Sequence, residues 1–149
     1  MKKLIPFFTA AFAVIMMLSF VGCSARSSVS ADDFKKQAEA KGFTVTDQTS
    51  SATDVSKYYV ATKSDTGTEI SYMLFASNSA AEQSYLTVKK SISAGVTGKT
   101  LDSATYNKYT LVNGELSHTL VRMDSTIVYA KTTASHQNEV QAFMDAIKY

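Results

Sequence analysis

The sequence predicts an α+β domain: an antiparallel sheet of about six strands with helices on one face, in the order α-β-β-β-α-β-β-β-α. Two observations point there. Most apolar residues between Phe43 and Lys131 recur with period two, the period of half-buried strands, and the strand-like runs come in threes separated by short turn signals. Stripes of helical period stand only before, in the middle of and after this stretch.

Taken in order, Ser30-Ala31-Asp32-Asp33 reads as a capping box with Asp33 in the place of Glu. The helix after it runs to about Lys41, with Phe34 and Ala38 one turn apart and Gly42 as its stop. Phe43-Thr44-Val45-Thr46 alternates as a strand, and the polar stretch Asp47 to Asp54 reads as a loop. Lys57–Lys63 and Thr68–Ser77 are two strands about the turn Ser64-Asp65-Thr66-Gly67. Ile70, Tyr72 and Leu74 share one face of the second, and Met73 and Phe75 take the other, so both faces are expected to be covered near its end.

Ser79-Ala80-Ala81-Glu82 reads as a second capping box, followed by the core stripe Ala81, Tyr85, Val88 and Ile92 and the stop Gly95. Val96 to Ser103 holds little that is apolar and reads as a connection. Thr105–Val112 and Glu115–Met123 flank Asn113-Gly114, which favours a type I′ hairpin turn because both central residues need positive φ. A turn at Asp124-Ser125 leads to the strand Thr126–Lys131, and the last helix starts near Ser135, buries Val140, Phe143, Met144 and Ile147, and runs to Tyr149. Leu74-Phe75-Ala76 resembles Val128-Tyr129-Ala130, and Tyr85, Val88 and Ile92 match Val140, Phe143 and Ile147. The halves therefore read either as a repeated three-strand meander closed by a helix or as chance similarity of patterned segments.

Ahead of the domain, Lys2 and Lys3 precede an apolar run from Leu4 to Phe20 that ends in Phe20-Val21-Gly22-Cys23, the order of a secretion signal. A cysteine directly after a small residue makes this stretch resemble the lipobox of bacterial lipoproteins. That resemblance implies cleavage between Gly22 and Cys23 by signal peptidase II and a diacylglyceryl group on the Cys23 thiol. It divides the chain into a signal peptide (1–22), a lipidated cysteine and tether (23–29) and one domain (30–149), placed at the cell membrane on its extracytoplasmic face. The domain itself resembles small secreted lipoprotein domains of unknown function. An uncleaved membrane helix is the rival reading of an apolar run this long, with Pro6 and Thr9 against it; an ordinary secretory signal that leaves Cys23 a free thiol is another.

Composition narrows the function classes. The chain holds 15 Lys+Arg against 13 Asp+Glu, and Lys2 and Lys3 leave with the signal, so the mature part is balanced at zero. A balanced chain without a basic run argues against nucleic acid, which needs a concentrated positive surface. The same balance argues against electrostatic docking on anionic lipid, leaving the acyl chains as the membrane link. With one cysteine, no intramolecular disulfide forms. His118 and His136 lack zinc-ligand spacing, and a surface or cap histidine is the reading for each. A Ser-His-Asp triad is defined by geometry and stays open, although no Gly-x-Ser-x-Gly turn presents a nucleophile. Gly95-Val96-Thr97-Gly98-Lys99-Thr100 ends in Gly-Lys-Thr but lacks the earlier glycine of a P-loop and follows a helix rather than a strand. No cofactor is expected.

Tyrosine stands out, with eight residues and no tryptophan. Tyr58-Tyr59 and Tyr106/Tyr109 sit in strands beside Lys57, Lys63 and Lys108. Such surfaces suit glycans or peptides, while tyrosine also simply favours half-buried strands. Tyr59 and Tyr106 share faces with lysines, whose ends are rarely buried, so they are expected to be the exposed pair, with Tyr58 and Tyr109 packed against helices. The expected function is a non-enzymatic lipoprotein that binds an envelope protein, peptide or glycan through Tyr59, Tyr106, Lys57, Lys63 and Lys108; a small envelope hydrolase is the alternative.

Overall fold

The computed structural model describes residues 27–149. The stretch expected to be a signal peptide, the Gly22–Cys23 junction and Cys23 lie outside the described residues. Within them, three helices and seven strands follow in the order α1 (Ala31–Ala40), β1 (Thr44–Asp47), β2 (Val55–Lys63), β3 (Thr68–Phe75), α2 (Asn78–Ser93), β4 (Lys99–Asp102), β5 (Tyr106–Asn113), β6 (Leu116–Met123), β7 (Thr126–Thr133) and α3 (Gln137–Ala146). The strands form one sheet in the spatial order β1-β2-β3-β7-β6-β5-β4. Every pairing is antiparallel, so the predicted fold class stands.

Two details differ from expectation. The seventh strand is β4, read from the sequence as a connection; its four residues are all exposed at the sheet's edge, so it has no apolar face to announce it. The helices also do not share a face. Phe34 and Ala38 of α1 and Val140, Phe143 and Met144 of α3 pack on Tyr59, Ala61, Ile70, Tyr72, Val121 and Val128. Ala81 and Tyr85 of α2 pack on the opposite face, against Phe75, Tyr109, Leu111, Leu120 and Ile127. Apolar residues on both faces of β3 and β7 are what allow this. The two strand triplets do run outward from the β3–β7 pair in matching order, β3-β2-β1 and β7-β6-β5. The helices that close them nevertheless lie on opposite faces, so the similarity between the halves extends to the strands and stops there.

Local chemistry sets the boundaries. Ser30 Oγ accepts from Asp33 N–H at 3.1 Å and caps α1. For α2 the capping side chain is Ser77, accepting from Ala80 N–H at 3.2 Å, rather than Ser79. The β5–β6 turn consists of Gly114-Glu115, since Asn113 pairs with Leu116. Gly114 has φ +60° while Asn113 is not at positive φ, so the type I′ reading on Asn113-Gly114 gives way to a turn with positive φ at its first residue only. The last helix stops at Ala146 instead of reaching Tyr149. Lys148 at φ +64° turns the chain, and Tyr149 N–H reaches back to Met144 C=O at 2.8 Å, while Lys148 N–H bonds Asp145 C=O at 3.1 Å. Arg122, 2% exposed, ties three segments together. Its guanidinium donates to Asn107 Oδ1 at 2.6 Å, Ala104 C=O at 3.0 Å and Asp124 C=O at 3.3 Å.

Candidate functional site

The predicted tyrosine–lysine surface does not form. Tyr59 and Tyr106 are buried on the face that α1 and α3 cover. The lysines misled because a lysine near a sheet edge can lay its stem over a buried ring and keep its ammonium at the rim. Lys57 Nζ lies 5.7 Å from the Tyr59 ring centre and 3.9 Å from Asp47 Oδ2 on edge strand β1. Lys63 is paired with Glu139 of α3, which raises its pKa, and sits over the Phe43 ring. Lys108 Nζ donates to Gln141 Oε1 of α3 at 3.3 Å. These three lysines tie strands to neighbouring elements rather than facing an open sheet. Tyr109 is packed under a helix, as expected: its ring meets Lys89 of α2, and its hydroxyl accepts from Gly98 N–H at 3.1 Å. Tyr58, expected to be core, is instead half-exposed on the α2 face beside Met73.

Both histidines are engaged in local bonds. His136 Nδ1 is 2.8 Å from Thr133 Oγ1, at the turn that leads into α3. His118 is half-buried on the α2 face, with Nδ1 2.8 Å from Tyr129 Oη and the rings parallel at 6.0 Å. Burial, and then the Lys131 ammonium, hold the His118 imidazole below its usual pKa, while burial and Glu69 raise the Tyr129 phenol. At neutral pH the pair is therefore an uncharged imidazole and an intact phenol. Among the described residues no three His, Cys, Asp or Glu side chains are grouped to hold a metal ion.

A cleft of about 700 Å³ lies on the α2 face, between α2 and the start of β2. One wall is Thr53 to Ser56, where the chain turns through Asp54 at φ +66° and the β2–β3 register shifts between Val55 and Lys57. Such an irregularity bends a strand away from its neighbours. The floor is Phe75 and Ala76 at the end of β3. The other wall is Ala80, Gln83, Ser84 and Thr87, spaced three, one and three residues apart on one flank of α2, beside its buried stripe. Asp54 is the single ionisable group in the lining; the remaining polar groups are hydroxyls and an amide. This neutral flank between the core stripe and the charged side was visible in the sequence, but nothing there showed that the segment before β2 would stand opposite it.

No protein-family model matches the chain, and no curated protein matches it. Among solved structures, a GTP binding regulator from Thermotoga maritima is similar over 79% of this chain and 84% of its own, with 16% identity and a TM-score of 0.48.

Proposed function

We propose that the protein is a lipid-anchored, extracytoplasmic binding module, non-enzymatic, that holds a neutral wall glycan in the cleft between α2 and β2. The observation that carries this reading is the cleft lining. Gln83, Ser84, Thr87, Thr53 and Ser56 offer hydroxyl and amide partners beside the apolar Val55 and above a floor of Phe75 and Ala76, with Asp54 as the only acidic or basic side chain in the lining. Sugar hydroxyls are matched by neutral donors and acceptors, and sugar C–H faces by apolar surface, whereas a phosphate or acidic peptide would call for cations. The lipobox-like junction at Cys23 supports the anchor and the compartment.

The test co-sediments the domain with insoluble wall glycan stripped of protein. The wild-type domain should pellet with the polymer. Ser84→Arg with Thr87→Arg, on the flank of the helix that lines the cleft, should keep the melting temperature and remain in the supernatant. Equal sedimentation of both proteins would remove the cleft from the account. The anchor is checked separately: Cys23→Ala should lose lipid labelling and cleavage by signal peptidase II, and a labelled Ala variant would end the lipoprotein reading.

A further inference from the structure

The helices, turns and strand ends divide the domain into two poles. At one pole α1 begins, α3 ends, β3 ends, α2 begins and the Asp124-Ser125 turn joins β6 to β7. At the other lie the Ser64–Gly67 and Gly114-Glu115 turns and the start of α3. An eight-residue central strand separates them by on the order of 25 Å. The chain enters at the first pole, and its entry point is held firmly. Tyr72 Oη donates to Val29 C=O at 3.0 Å, and Val29 N–H donates to Tyr149 Oη at 3.3 Å. Tyr149 also bonds Thr126 and is 4% exposed. Both backbone polar groups of Val29 are thus fastened to phenols rooted in the core.

We infer that the domain stands on the bilayer on this first pole, with the pole of the hairpin turns directed away. The inference rests on the lipid anchor at Cys23 proposed above. Six residue-to-residue steps link Cys23 to Val29, a reach of at most about 20 Å even fully extended. That is shorter than the domain, so the Val29 pole stays at the bilayer surface. The mature chain has no net charge, so no long-range attraction to anionic lipid draws another face down. The cleft opens at the same pole, where β3 ends and α2 begins. Its ligand is therefore met in the membrane-proximal layer of the envelope.

Because the chain has no tryptophan, a single introduced one reports its own position. Asp32→Trp and Ser79→Trp mark the anchored pole; Asp65→Trp and Glu115→Trp mark the other. All four sites are exposed, and two at each pole guard against one variant that fails to fold. Energy transfer to a headgroup dansyl lipid is measured in phosphatidylcholine vesicles. One set of proteins is natively processed, and a second has Cys23 coupled chemically to a maleimide lipid. Transfer should be several-fold more efficient in the two variants of the anchored pole than in the other two, and a long Gly-Ser insertion after Arg26 should erase the contrast. Equal or reversed efficiencies in the coupled protein would overturn the orientation. Contrast in the coupled set, with no lipid on the native chain, would instead sink the anchor and leave the orientation of a tethered domain standing.

Discussion

Gly98 shows how one backbone position can carry a contact that no side chain announces. A Cβ placed there would lie 2.5 Å from Thr110 O and 2.6 Å from two ring atoms of Tyr109. The close approach lets Gly98 N–H reach the Tyr109 hydroxyl, which also donates to Val96 C=O at 3.4 Å, and so seats the start of β4 against β5. Gly98→Ala should cost about 1–3 kcal/mol, the usual penalty for forcing atoms into packed space. Denaturant unfolding monitored by circular dichroism checks this; an unchanged midpoint would mean that β4 yields freely. The glycine of the Gly-Lys-Thr run is thus explained by packing, and Lys99 and Thr100 are strand residues of β4.

Helix α3 is fixed by its inward side chains rather than by its caps. Its N-terminus lacks a side-chain cap bond, and its C-terminus is closed by Lys148 in the left-handed region. Val140, Phe143 and Met144 are buried, and the Phe143 ring meets Phe34 edge-on at 5.6 Å and Phe43 at 5.8 Å. Phe143 therefore joins α1, α3 and the segment before β1. Phe143→Ala should cost about 3–5 kcal/mol, a large part of a small domain's stability, and lower the melting temperature by many degrees. A calorimetric shift of a degree or less would mean that α3 does not dock through this ring. Phe143, Ile147 and Val128 lie in one buried cluster, with Leu74 partly buried at its margin.

Over the whole domain, buried phenols tie stability to alkaline pH. Burial raises Tyr72 and Tyr85 strongly, and it raises Tyr149 to about 12 from an ordinary 10.0. A raised folded-state pKa leaves stability intact below pH 10, where both states keep their protons. Between pH 10 and 12 the unfolded chain ionises first, so stability falls as pH rises. Equilibrium unfolding from pH 8 to 12 should show a plateau followed by a decline. Tyr149→Phe should make that decline shallower even though it loses the bonds to Val29 and Thr126. A decline of equal slope in the variant would show that Tyr149 does not contribute to it.

The fold class, the element order and most helix and strand positions were legible along the chain, because period, caps and turn residues act over a few neighbours. Phe34 and Ala38, the stripe Ala81–Tyr85, and the alternation of Ile70, Tyr72 and Leu74 each declared a local face. The sequence also holds the lipobox-like junction at Cys23, on which the proposed anchor and compartment rest. What the chain did not declare was which partner each face would meet. Strand β3 shows apolar residues on both sides, and only packing assigned α1 and α3 to one side and α2 to the other. Lys57 and Lys63 marked an open surface when read by residue type, yet their ammonium groups reach Asp47 and Glu139, distant in sequence and adjacent in space. The cleft joins residues 53–56 to α2 across β3. Burial and cleft shape are properties of pairs of faces, so they were decided only when the sheet closed between its helices.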